Sequence, residues 1–220
     1  MSWVSLRHTE AVTQEIQVSC LYGIGLNYAD HAQEMGAQRP AEPVVFIKPV
    51  SALMPGGGEL AYPRQTTALH HEVEIVLLLG QDGFELDLAA AQERILGVAI
   101  GLDLTLRDRQ QEAKQAGRPW ATAKGFAGSA PVSTFLPVEE MDLNALDFSL
   151  HVNGELRQQG KSSDMLFSAA ELVMHLSQYF QLCRGDLIFT GTPAGVGPLF
   201  PGDQLEAVLG SLHLPLQIKA

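Results

Sequence analysis

The sequence predicts one β-rich domain of the α/β or α+β class, spanning residues 1–220. Three observations point there. Seven short apolar or alternating segments read as strands, while helical periodicity is confined to a few brief stretches. Turns are plentiful, with 21 glycines and 12 prolines in 220 residues. The order of segments is neither a strict strand–helix alternation nor an all-strand pattern. With 46% hydrophobic residues, the chain has enough apolar surface for a substantial core.

Taken in order, residues 16–24 read as a strand, and "YADHAQEMG" as a short helix stopped by Gly36. Strands follow at 44–48 and 72–79, then a short helix at 87–95 ("DLAAAQERI"), a strand at 96–103 and a helix at 106–116 ("LRDRQQEAKQA"). The strand at 147–152 runs into "HVNGELRQQ", where Asn153-Gly154 suits a type I′ hairpin turn. The longest helical pattern, 163–181, begins either at Ser163 or at Ser168, which forms an S-x-x-E capping box with Glu171. Strands at 186–191 and 213–218 complete the set.

Composition excludes several partners. A net charge of −11 with no basic stripe argues against nucleic acid. The apolar runs are too short to span a bilayer, and "MSWVSLRHTE" lacks the apolar region of a secretory signal, so no membrane association is expected. Cys20 and Cys183 lie in apolar contexts and read as reduced thiols of a cytoplasmic protein rather than as a disulfide.

The chemistry begins with "HHEVEIVLLLG", residues 70–80. Glu72 and Glu74 fall on one face of a largely buried strand, with Cα atoms roughly 6.5 Å apart. Two like charges there need a cation or a shared proton. In "VAIGLDLTLRDRQ" a second apolar strand ends at Asp103, a third carboxylate. Three hard oxygen ligands favour Mg²⁺ or Mn²⁺ over zinc, with Ca²⁺ compatible, and leave roughly three positions open for substrate and water. Spacing alone equally allows Glu74 to face solvent on an edge strand and Asp103 to cap the following helix.

In "NYADHAQEMG", His31 and Glu34 stand at i and i+3, neighbours on one helix face. A carboxylate beside an imidazole fixes its tautomer and raises its basicity, which suits a general base acting on water; an exposed surface pair has the same spacing. "FTGTPAGVGPL" is a glycine-rich loop after a strand, without the Gly-Lys-Ser/Thr of a P-loop. Its free N–H groups and the Thr192 hydroxyl could hold an oxyanion, or simply form a turn. Lys124, in "RPWATAKGF", is either an electrostatic stabiliser beside the cation or a surface lysine.

Together, "GLNYADHAQEMG", "PVVFIKPVSAL", "HHEVEIVLLLG", "GLDLTLRDRQ", "GRPWATAKGF" and "GTPAGVGPL" resemble the fumarylacetoacetate hydrolase family, in its short single-domain acylpyruvate hydrolase branch. The resemblance runs from about residue 20 to the end. It implies an α+β, β-rich fold, a mixed β-sandwich roll with flanking short helices, and a homodimer. It implies Mg²⁺ on Glu72, Glu74 and Asp103, a water-activating dyad of His31 and Glu34 on a lid helix, and Lys124 against the substrate's developing negative charge. Arg107, Gln110 and Thr192 match positions that hold the substrate's oxygens. The implied reaction cleaves a 2,4-diketo acid (an acylpyruvate) to pyruvate and a carboxylic acid. The same site would also serve oxaloacetate decarboxylation, or isomerisation or hydration of 2-oxo acids in aromatic catabolism. A domain that only binds metal or a 2-oxo acid would have no use for the His31–Glu34 pair. Two departures stand out: Leu26 where many relatives carry a basic residue, and Ala127 where many carry Asp.

Overall fold

The computed structural model describes residues 2–8, 13–30 and 39–220. Its strands form two main sheets. The larger has the order Val44–Lys48, Leu21–Gly25, Leu187–Phe189, Val73–Leu79, Ile95–Leu102, Ala130–Val132, Leu53–Pro55, with Leu136–Pro137 also paired to Ile95–Leu102. The second has the order Glu155–Lys161, Asp147–Val152, Gln204–Leu209, Leu212–Lys219, Gly58–Ala61. Most neighbours are antiparallel, but Leu187–Phe189 runs parallel to Leu21–Gly25, Ala130–Val132 to Leu53–Pro55 and, in the second sheet, Leu212–Lys219 to Gly58–Ala61. The sheets are therefore mixed, as the resemblance implies.

The apolar run at 73–79 has a direct explanation. Ile75, Leu77 and Leu79 pack into the main core with Val98, Ile100, Leu150, Leu214 and Ile218. Val76 and Leu78 point the other way, into a second cluster with Leu6, Phe135, Leu187 and Phe189. A strand buried on both faces has no solvent side, so its sequence cannot alternate between apolar and polar.

Four helices among the described residues flank the sheets: α1 (Leu88–Arg94), α2 (Arg107–Gln115), α3 (Ala121–Lys124) and α4 (Ala169–Ser177). The Asp87 side chain caps α1 by accepting from the Ala90 N–H. The 163–181 helix is much shorter than its sequence pattern. Ser168 and Glu171 form the capping box, so α4 starts there, and residues Ser162–Asp164 make a separate 3₁₀ turn. The strand expected at 16–24 is two strands, Thr13–Gln17 and Leu21–Gly25. The hairpin turn is as expected, with Asn153 and Gly154 both in the left-handed region at φ of 55° and 80°. No described helix is long and apolar enough to cross a membrane.

Candidate metal centre

The ends of two adjacent central strands build the site. Glu74 lies in Val73–Leu79 directly opposite Gly101, and Asp103 follows the end of Ile95–Leu102, its N–H bonded to the Glu72 carbonyl. This pairing brings Glu72, Glu74 and Asp103 together, with one oxygen from each lying within 4.8 Å of the others. All three are buried, at 5%, 1% and 1% exposure. Burial first, then the charges of Asp103 and Glu72, raise the Glu74 carboxyl well above its ordinary value, against the opposing pull of Lys124 and the Gly191 N–H.

Cations surround the cluster. Lys124, at the end of α3, places Nζ 2.8 Å from Glu72 and 2.5 Å from Asp103. Burial works against its charge, but Asp103 and Glu72 outweigh this and raise its pKa. Arg107, the first residue of α2, donates to Glu72 and, at 2.6 Å, to Gln110. Lys48 is fully buried, with Nζ 2.7 Å from Asp103 Oδ1. Its ammonium is directed at the carbonyl oxygens of Lys124 and Ser129 and the Ser129 hydroxyl, which leaves Oδ1 with a charge contact but no directed hydrogen bond. Three hard oxygen donors under mutual repulsion, one of them without a hydrogen bond, fit a divalent cation.

Gly191 explains why the following loop is glycine-rich. At φ of 99° it turns its N–H onto Glu74 Oε2 at 2.8 Å, and a Cβ there would meet Asn27 Cβ at 2.7 Å. Asn27 ties this loop to the 166–167 segment, donating to the Thr190 carbonyl at 2.8 Å and to the Phe167 carbonyl at 3.1 Å.

Glu72 and Glu74 of the cluster line a pocket, with Asp103 buried behind them. Glu72, Glu74, Lys124, Arg107, Gln110 and Thr192 give it a polar side, and Ile24, Leu26, Phe46 and Trp120 an apolar one, with Lys114 among the lining residues. Leu26 holds the left-handed conformation at φ of 60°, costly for a branched side chain. The Lys124 ammonium lies 5.0 Å from the Phe46 ring centre, and that of Lys114 5.0 Å from Trp120. Seven of the nine site residues expected from sequence thus converge. His31 and Glu34 lie outside the described residues. Lys48 and Gln158 were missed. For Lys48 a signal existed, a lysine inside the apolar "VVFIKPV"; Gln158 gives none, being a neutral residue in a polar hairpin strand.

The family profile described as fumarylacetoacetate (FAA) hydrolase C-terminal matches residues 20–214. The mitochondrial oxaloacetate tautomerase FAHD1 of Mus musculus is 48% identical over 198 residues, covering 89% of this chain and 90% of that protein. A mitochondrial oxaloacetate decarboxylase of Dictyostelium discoideum is 37% identical over 199 residues, covering 90% and 91%. Among solved structures, fumarylpyruvate hydrolase from Pseudomonas aeruginosa, in complex with Mn²⁺ and pyruvate, superposes with a TM-score of 0.93 at 38% identity, covering 100% of this chain and 97% of that one.

Proposed function

The chain belongs to the fumarylacetoacetate hydrolase family, whose members are metal-dependent enzymes, and from that premise we propose that it cleaves the C3–C4 bond of a 2,4-diketo acid to give pyruvate and a carboxylic acid. The observation that carries this reading is the buried three-carboxylate cluster, two of whose members line a pocket that also presents Lys124 and Arg107. Glu72, Glu74 and Asp103 would hold a divalent cation, Mg²⁺ in the first instance. Once bound, it would supply Lewis-acid polarisation of the 2-oxo and carboxylate oxygens.

The protein's own groups do the rest. His31, oriented by Glu34, takes a proton from water, and the resulting hydroxide attacks the C4 carbonyl. The C3–C4 bond breaks with its electron pair moving toward the 2-oxo oxygen, giving the pyruvate enolate, which takes up a proton at C3. Lys124 stabilises that developing negative charge in this reading, supported by the ion pairs with Asp103 and Glu72 that keep it charged. Arg107 and Gln110 hold the substrate's oxygens. The apolar wall of Ile24, Leu26, Phe46 and Trp120 receives the acyl group. The active species is a homodimer. The free thiols Cys20 and Cys183 suit a reducing compartment, the cytoplasm in this reading; the mouse and Dictyostelium relatives are named mitochondrial.

A second reading, with oxaloacetate as substrate, is favoured by one observation: the 48% and 37% identical relatives are named for oxaloacetate chemistry. It uses the same enolate stabilisation but no attacking water. Chelator-treated protein given acetylpyruvate, fumarylpyruvate or oxaloacetate, with and without Mg²⁺ or Mn²⁺, decides between them. Metal-dependent pyruvate from a diketo acid is the expected result. Conversion of oxaloacetate alone would replace the hydrolase reading, and undiminished activity without metal would overturn both.

A further inference from the structure

Gln158 reaches the site from the second sheet, and no described role accounts for its burial at 1% exposure. Its orientation is determined by groups that can act in only one way. The Val73 N–H can only donate, and it donates to Gln158 Oε1 at 3.1 Å. The Pro193 carbonyl can only accept, and it accepts from Nε2 at 3.0 Å. The amide is thereby fixed: His71 Nδ1, 2.9 Å from Oε1, must carry a proton, and Nε2 must donate to Thr192 Oγ1 at 2.8 Å. Thr192 in turn gives its only hydroxyl proton to the Val73 carbonyl at 2.9 Å.

A threonine hydroxyl has one proton and two lone pairs. Here the proton is used by Val73 and one lone pair by Gln158. What remains for the pocket, which Thr192 lines, is a single lone pair. From this closed network we propose that the Val73 carbonyl, with Gln158 occupying one lone pair, fixes the Thr192 hydroxyl as a hydrogen-bond acceptor, so that this corner of the pocket takes a ligand O–H rather than a carboxylate oxygen. Within the proposed function, on which this rests, the ligand class is the enol form of a 2-oxo acid, or water about to lose a proton. The Thr192 backbone N–H makes no hydrogen bond among the described residues and is the donor that remains for an anion.

The test is binding to Mn²⁺-loaded protein by calorimetry, comparing lactate, which carries a 2-hydroxyl donor, with pyruvate, whose oxygens only accept. Thr192→Val is expected to weaken lactate about 10-fold, the effect of one lost hydrogen bond of ordinary strength, and to leave pyruvate within about 2-fold. Thr192→Ser should restore the original ratio. Gln158→Met leaves the Val73 carbonyl as the proton's acceptor and should keep the ratio near its original value, with Mn²⁺ affinity retained. Equal or greater loss for pyruvate in Thr192→Val would mean that the hydroxyl donates, and would overturn the proposal. A ratio shifted toward pyruvate in Gln158→Met would mean that Val73 does not hold the proton by itself, and would overturn that assignment. Because no turnover is needed, failure to cleave any diketo acid would remove the proposed reaction without touching this result.

Discussion

Glu74 is buried between two other carboxylates and has a pKa raised first by burial, then by Asp103 and Glu72. A carboxyl raised above its ordinary value of 4.5 binds more protons in the folded chain than in the unfolded one. Its contribution to stability is therefore greatest at low pH and declines as pH rises from about 4.5. In EDTA, Tm should fall across that range, and Glu74→Gln should flatten the fall while abolishing stabilisation by Mn²⁺. Parallel pH curves for the two proteins would remove Glu74 from this role. His31→Ala should lower turnover about 10²–10⁴-fold with Mn²⁺ affinity unchanged, read from steady-state kinetics and calorimetry. The carboxylates were legible because a charge inside an apolar strand is costly and so conspicuous. Gln158 was not, because its value lies in four partners from distant segments, which no local pattern reveals.

Glu74 sits in the strand with the continuous apolar run and Glu72 in the one-residue break just before it, where the expected strand at 72–79 begins one residue late, and the pairing with Ile95–Leu102 aligns both with Asp103. Register sets Glu74 against Gly101, where a Cβ would meet Val76 Cγ2 at 2.6 Å, so the close approach of the two strands depends on that glycine. Elements with strong local signals were readable: Asp147–Val152 matches its expected bounds, and the Asn153-Gly154 turn its expected conformation. Strands of three or four residues, such as Leu53–Pro55, Gly58–Ala61 and Ala130–Val132, were not. They exist because a long-range partner supplies their hydrogen bonds. For α4, the capping box proved a better guide than the longer apolar pattern. Ser168→Ala should cost about 1 kcal/mol, lowering Tm by about 2–4 °C for a chain of this size, measured by calorimetry with the metal site loaded.

Across the whole molecule, the site is where two cores meet. The Val73–Leu79 strand sends alternate side chains into each, and its end supplies Glu74. A cation that binds only the folded chain should therefore stabilise the entire fold, by about 2.7 kcal/mol at a hundredfold excess over Kd. The expected rise in Tm is about 5–10 °C, reversed by EDTA and absent in Glu74→Gln; a melting curve indifferent to Mn²⁺ would contradict it. The doubly buried strand also bears on how the protein exchanges protons with solvent. With neighbours on both edges and packing on both faces, the amides of Ile75 to Leu78 have no local opening that exposes them. Their deuterium uptake should report global unfolding alone, making them the natural clock against which faster exchange in the 191–195 loop can be timed.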